Sequence, residues 1–327
     1  MVVRRALVAG FAATAMMLAA CSTSDGSGGG SGGGNNEPAK SGDVRIDVIT
    51  HGAPGDSFWD VVKAGSEKAG SDLGVDLHYN SDPDPGGQST LIDNAVADNT
   101  DGLVISMANP DGLEASIKAA VAAGVPVITI NSGIDDWQAF GAITHVGQSE
   151  TVAGEAAGQQ LSDAGATNAI CVIQEAGNVA LEERCRAAAS TFGGKMKNLQ
   201  TDNTDLQGSQ STIEAQLQAS DKIDGILTLG GDMAGAAVAA VAASGRDIPI
   251  GTFDLNAEVA QDVIDAKLLF AIDQQPFVQG YLGVTGIYLK VINGNDIGGG
   301  QPINSGPAII TKDNAAAVLK FAQGGTR

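Results

Sequence analysis

The chain has 327 residues, 17% of them charged, and a formal net charge of -20. So acidic a surface repels phosphate backbones and anionic lipid headgroups, which excludes nucleic acid and polybasic membrane docking. After the first twenty residues no segment offers the roughly 18 uninterrupted apolar residues that a spanning helix needs.

In chain order, Arg4 and Arg5 precede an uncharged, mostly apolar run from Ala6 to Ala20. The run is too short to cross a bilayer, and residues 1–20 are expected to be an export signal outside the fold. It ends in Leu18-Ala19-Ala20-Cys21, which resembles the bacterial lipobox, where small residues admit the signal peptidase and the Cys thiol takes a lipid. An ordinary export signal with an incidental Cys is the alternative. Cleavage would leave 307 residues, and loss of Arg4 and Arg5 would take the charge from -20 to -22. Residues 21–43 are dominated by Ser and Gly, cannot bury a core, and are expected to form a flexible tether.

The remaining 285 or so residues suit two lobes of ordinary size. Runs rich in Val, Ile and Leu alternate with Ala-rich stretches of helical period, the rhythm of parallel strands joined by crossover helices. Strands are predicted at 45–50, 75–79, 102–106 and 126–130, with helices at 58–72, 88–99 and 110–123 between them. A second series places strands at 169–174, 195–200, 225–229 and 248–253, with helices near 181–192, 206–220 and 232–244.

The series repeat each other in sequence as well as in rhythm. Asp101-Gly102-Leu103-Val104 returns as Asp224-Gly225-Ile226-Leu227 and Pro126 as Pro249, both 123 residues on, while Gln88-Ser89-Thr90 returns as Gln210-Ser211-Thr212 after 122. A duplicated βα unit is implied, hence two doubly wound parallel-sheet lobes. The expected division is 44–147 with 275–303 for the first lobe and 148–274 with 304–327 for the second. Crossings near 147–149, 274–276 and 302–307 would make a three-strand hinge.

Ligands of open parallel sheets sit beyond the carboxyl ends of the strands. The fourth strands end in Asn131 and Asp254, which would meet across a cleft; helix capping is the alternative role for each. After the first strand comes Pro54-Gly55-Asp56-Ser57-Phe58-Trp59, whose adjacent rings point about 100° apart on a helix, so one at least is free to offer a flat apolar face. The matching segment of the second series, Ala176 to Cys185, carries Arg184, whose planar fork suits vicinal hydroxyls or else a surface ion pair with Glu182 or Glu183. Cys171 and Cys185 bracket 13 residues and would oxidise outside the cytoplasm, so a disulfide is expected, with two buried thiols as the alternative.

Asp56-Ser57-Phe58-Trp59, Val125 to Asn131, Val146-Gly147-Gln148-Ser149, Glu183-Arg184, Gly251-Thr252-Phe253-Asp254 and Ile272-Asp273-Gln274-Gln275-Pro276 together resemble the ribose-binding-protein-like branch of the type I periplasmic binding proteins, over roughly Arg45 to Thr311. The resemblance implies a monomer that captures a monosaccharide or polyol at the outer face of the cytoplasmic membrane and delivers it to an ABC permease. It implies that Phe58 and Trp59 sandwich the sugar, that Arg184, Asp254 and Gln274 bind hydroxyls, and that Asp56 and Asn131 face the pocket. The chain departs from the ribose pattern at Asn131-Ser132, where Asp-Arg often stands, and at Gly230-Gly231 ahead of Asp232-Met233, where an Asn is expected. Losing those donors points away from ribose towards another pentose, a hexose or a short polyol.

Two rival readings are weaker, and a third fits the same residues. An enzyme would need chemistry that is missing: there is no nucleophile elbow, phosphate loop or dinucleotide fingerprint, no metal is expected from His51, His78 and His145, which read as surface or strand-end residues, and no cofactor is implied. A sugar-responsive repressor would carry a helix-turn-helix where the export signal stands. A sugar sensor serving a membrane receptor shares every feature named.

Overall fold

The computed structural model describes residues 41–327. The expected export signal, Cys21 and nearly all of the Ser/Gly tether lie outside the described residues. A 3-10 turn at Ser41–Asp43 leads into two six-stranded sheets.

The first sheet is built from β1 (Arg45–Thr50), β2 (Asp76–Ser81), β3 (Gly102–Ser106), β4 (Val127–Asn131) and β5 (His145–Gly147), in the order β5-β4-β3-β1-β2, with β11 (Ile303–Asn304) beyond β5. The second takes β6 (Asn168–Ile173), β7 (Lys195–Gln200), β8 (Gly225–Thr228), β9 (Ile250–Phe253) and β10 (Phe270–Asp273), in the order β10-β9-β8-β6-β7, with β12 (Ala308–Ile310) antiparallel beyond β10. Central strands are buried on two faces: β3 and β4 expose no residue, whereas the edge strands β2 and β7 are polar and half-exposed. That contrast is why the central strands read as apolar runs.

The 123-residue repeat is realised bond for bond. Ile46 of β1 pairs with Gly102 of β3, and 123 residues on Ala169 of β6 pairs with Gly225 of β8. Asp101 accepts the Arg45 N–H at 2.8 Å, and Asp224 accepts the Asn168 N–H at 2.6 Å. The repeated aspartate therefore ties the turn before the third strand to the start of the first in each lobe.

Helices cover the sheets on two sides. The first lobe has α1 (Ser57–Leu73) and α10 (Pro276–Asn293) on one face, α2 (Pro85–Ala97) and α3 (Pro110–Ala122) on the other, and a short α4 (Trp137–Phe140). The second has α5 (Glu150–Asp163) and α6 (Val179–Thr191) on one face and α7 (Leu206–Ala219), α8 (Gly231–Ser244), α9 (Ala257–Ile264) and α11 (Ala315–Gln323) on the other. Val48 and Ile49 of β1 fall in separate cores because successive strand residues face opposite ways. Each lobe also brings one helix pair into backbone contact through glycine: a Cβ on Gly280 of α10 would overlap the Val62 carbonyl of α1, and one on Gly158 of α5 that of Ala188 in α6.

Two helices start two or more residues earlier than the sequence predicts. Asp84 caps α2 through the Gly86 and Gly87 N–H groups, and Pro85 occupies the first helical position, where its missing N–H is harmless. Asn178 caps α6 at Ala180 in the same way, two residues ahead of the expected start at Leu181.

The chain passes between the lobes three times, at Gln148-Ser149, at Gln274-Gln275 and at Ser305-Gly306-Pro307. The crossings are bonded to one another. The Ser305 N–H donates to the Gly147 carbonyl at 2.6 Å, its hydroxyl to the Gln274 carbonyl at 2.7 Å, and Gln275 Nε2 to the Ser305 carbonyl at 2.5 Å.

Candidate functional site: the cleft between the lobes

The carboxyl ends of the two sheets face each other across a cleft of about 440 Å³, within the usual range for small-ligand sites of roughly 300–1,000 Å³. Asp56, Phe58, Trp59, Asn131, Arg184, Asp254 and Gln274 all line it.

Asn131 closes β4 and Asp254 follows β9, each with a left-handed backbone, φ 64° and 67°. Asn and Asp tolerate that region better than other side chains, and its use at two equivalent strand tips turns both groups inward. Gln274, just after β10, joins them: Asn131 Nδ2 donates to Gln274 Oε1 at 3.1 Å, and Gln274 Nε2 donates to Asp254 at 2.7 Å. The cleft floor is one chain of hydrogen bonds linking the two lobes to the hinge.

Burial raises the Asp254 carboxyl to about 7, against the pull of Arg184 and the Gln274 hydrogen bond. Asp56, the cap of α1, accepts the Phe58 N–H at 3.0 Å and is also raised to about 7, first by burial and then by the neighbouring charges of Glu175, Asp232 and Asp254.

The Arg184 expectation needs correction. Its partner is neither Glu182 nor Glu183 but Glu150, which takes Nε at 2.6 Å and Nη2 at 2.9 Å with both side chains almost wholly buried. Glu183 instead pairs with Arg186 on the surface. The first residue of α5, Glu150 also accepts from hinge residue Gln148 at 3.0 Å, so the guanidinium is tied to a crossing. Arg184 Nη1 reaches the Leu229 carbonyl at 3.4 Å, and its Cζ lies 4.7 Å from the Phe253 ring centre. Of its five N–H groups two stay unassigned, one on each terminal nitrogen, and these are what it can offer a ligand hydroxyl. Burial works against the charge, yet Glu150 holds the Arg184 pKa above its ordinary value.

The aromatic pair is corrected too. The Phe58 and Trp59 rings are perpendicular, at 86°, with centroids 5.0 Å apart. A ligand held between two faces needs about 7–8 Å, twice a van der Waals contact, so this pair does not sandwich anything. Only 9% and 6% exposed, the rings belong to the core of their lobe and together form one wall of the cleft. Leu181, Leu229 and Met233 supply apolar surface from the other lobe.

The structure adds residues that sequence reasoning missed. Glu175 accepts from Asn178 at 2.6 Å and Asn203 at 3.0 Å, and faces His51 across the cleft at 3.7 Å. Carrying the 123-residue offset into the loops would have found part of this, since it takes His51 to Gln174, another lining residue. Glu150 left no such signal.

His51 follows β1 and borders the cleft, with Nδ1 2.7 Å from Ser106 Oγ. A Ser-His-Glu set suggests nucleophilic chemistry, but Ser106 is fully buried and does not line the cleft. Burial lowers the His51 pKa, keeping its ring neutral. His145 opens β5 fully buried and is pushed down to about 3, whereas His78 sits half-exposed on the edge strand β2 beside Asp76. Among the described residues no group of His, Cys, Asp and Glu could hold a metal.

In the structure Cys171 of β6 is bonded to Cys185 of α6, with their Cα atoms 5.8 Å apart. It fastens the helix that bears Arg184 to the centre of its sheet.

Residues 46–295 match the model of the periplasmic binding protein domain. The chain belongs to this family. The solved carbohydrate transporter protein of Acidothermus cellulolyticus 11B, in complex with myo-inositol, is 42% identical, with a TM-score of 0.85 over 87% of this chain and 99% of that one. The ribose import binding protein of Bacillus subtilis is 24% identical over 75% of this chain and 82% of its own length. The xylose/arabinose-binding protein of Sulfolobus acidocaldarius is 24% identical over 69% of this chain, and the match spans 60% of that relative. Periplasmic binding proteins work outside the cytoplasm, and they bind solutes without transforming them: this chain is a solute-binding protein and not an enzyme.

Proposed function

We propose that this periplasmic binding protein captures a neutral cyclic polyol or monosaccharide, with an inositol as the first candidate, and delivers it to an ABC importer. The observation that carries the reading is the cleft floor, where Asn131, Gln274 and Arg184 retain N–H groups while Asp56, Glu175 and Asp254 retain acceptor lone pairs, beside the Phe58–Trp59 wall. A hydroxyl both donates and accepts, and a ring of hydroxyls has apolar C–H faces, so the two surfaces match. The 42% identity to a protein solved with myo-inositol supports the choice of ring.

Charge narrows the ligand further. Asp56, Glu175, Asp232 and Asp254 face the cleft against one arginine already neutralised by Glu150, so uronates and phosphorylated polyols are disfavoured.

In this reading residues 44–147 with 275–303 and residues 148–274 with 304–327 close as two rigid bodies on the three crossings. A ligand that touches both lobes favours the closed form by its difference in affinity for the two states. The protein works as a monomer, held by a lipid on Cys21 outside the cytoplasmic membrane, and Cys21→Ser should release it from the membrane.

The test is a thermal-shift and calorimetry panel of myo-inositol, ribose, arabinose, xylose, fructose, galacturonate and inositol monophosphate. Binding to the folded state alone raises the melting temperature. Myo-inositol is expected to give the largest shift and the two anions none; no shift from any neutral compound would overturn the reading.

A further inference from the structure

Across the mouth of the cleft three residues bind one another and leave the floor to the ligand. Ser57, the first residue of α1 in the first lobe, donates its Oγ–H to Asp232 Oδ1 at 2.9 Å and its N–H to Asp232 Oδ2 at 3.2 Å. Asp232 lies in the first turn of α8, in the second lobe. Asn256, the cap of α9, brings Nδ2 to 3.3 Å from Ser57 Oγ and 3.4 Å from Asp232 Oδ1. A backbone bond, Val179 N–H to the Ala108 carbonyl at 3.0 Å, also spans the lobes.

The first N–H groups of a helix have no partner within it. Asp56 satisfies the Phe58 N–H from within its own lobe, but the Ser57 N–H is satisfied by the opposite lobe. The Ser57 N–H at the α1 terminus is thus capped only in the closed form, and the partial positive charge there attracts the Asp232 carboxylate.

We infer that Ser57, Asp232 and Asn256 form a latch that stabilises the closed form whether or not ligand is present, setting how much of the protein is binding-competent beforehand. Apparent affinity scales with that competent fraction. The latch therefore multiplies the affinity for every ligand by one common factor, whereas a residue touching the ligand acts through particular hydroxyls.

Two variants of the full chain test this. Ser57→Ala removes the hydroxyl donor. Asn256→Asp keeps an oxygen for the Val259 N–H, and so keeps the α9 cap, while setting a second carboxylate against Asp232. Calorimetry with myo-inositol, scyllo-inositol and a deoxy-inositol should show Kd raised about 3- to 10-fold by Ser57→Ala, by the same factor for all three, and further by Asn256→Asp. Small-angle scattering of the ligand-free variants should show a larger radius of gyration than the parent chain. Penalties that differ among the three ligands would assign Ser57 to ligand contact and overturn the latch, as would unchanged Kd and scattering in both variants. If none of the three binds the parent chain, the polyol reading fails, and ligand-free scattering still decides the latch.

Discussion

The two lobes share a plan but spend their side chains differently. Their strands pair in the same register 123 residues apart, and their fourth strands end in side chains held at nearly the same backbone angles. Yet the first lobe meets the cleft with aromatic rings, and the second with a buried ion pair beside a disulfide. The offset takes Arg184 back to Val61, a buried apolar residue of α1. Duplication preserved the scaffold, then, and the strand tips and first helical turns diverged into an apolar wall on one side and polar groups on the other.

The largest effect should come from breaking that asymmetry at its charged centre. Glu150→Ala leaves Arg184 buried without its partner, which should destabilise the protein by about 3–5 kcal/mol in urea unfolding. Replacing both residues by Met should restore most of the stability without restoring ligand affinity. A double variant that still binds at parental strength would show the ion pair to be scaffold alone.

Next comes the disulfide, present in the second lobe only. Closing a loop of this length contributes about 3 kcal/mol by the chain-entropy account, so the Cys171→Ala, Cys185→Ala variant should melt markedly lower. Because α6 carries Arg184, affinity should fall as well. An unchanged melting temperature on reduction would mean that close packing of α5 against α6 already fixes the helix.

Asp254 and Asn131 allow a direct comparison of the two strand tips. Hydrogen bonds to charged groups contribute about 1.5–3 kcal/mol, so Asp254→Ala should weaken polyol binding roughly 10- to 150-fold by calorimetry. Its titration gives a second reading. The folded pKa of about 7 lies above the unfolded value near 3.9, so the folded state holds the proton more tightly. This group favours folding most below about pH 4, and that contribution is lost as pH rises to about 7. Asp254→Asn should flatten the melting-temperature profile over that window, and an unchanged slope would assign it to Asp56 instead.

Much of this was legible in the sequence because the signals were local or repeated. Periodicity placed the central strands, the offset placed Asn131 opposite Asp254, and all seven expected cleft residues line one cavity. What escaped depended on contacts between distant segments. Glu150 lies 34 residues from Arg184, and no spacing rule joins them, whereas Glu183 stood beside it as an obvious but wrong partner. Asp232 stood out in the sequence only as the acidic half of the Asp232-Met233 pair behind the divergent Gly230-Gly231, because its partner Ser57 lies 175 residues away in the other lobe. Ring orientation likewise depends on tertiary packing, so the family resemblance implied a sandwich that the perpendicular rings rule out.

The smallest expected effect tests whether the tips are interchangeable. Asn131→Ala removes one neutral hydrogen bond to Gln274, of about 0.5–1.5 kcal/mol, and should weaken binding roughly 2- to 10-fold. Asn131→Asp makes the tips alike and is the sharper probe. Gln274 has a single amide group, which would then face two carboxylates while its Oε1 loses the Asn131 donor. The new carboxylate would sit against Gln274 Oε1, acceptor facing acceptor, and only its protonated form could donate an O–H to that oxygen. Binding by Asn131→Asp should therefore match that of Asn131→Ala at pH 5 and fall below it at pH 8, and parallel pH profiles would show that the amide chain across the floor does not couple the lobes.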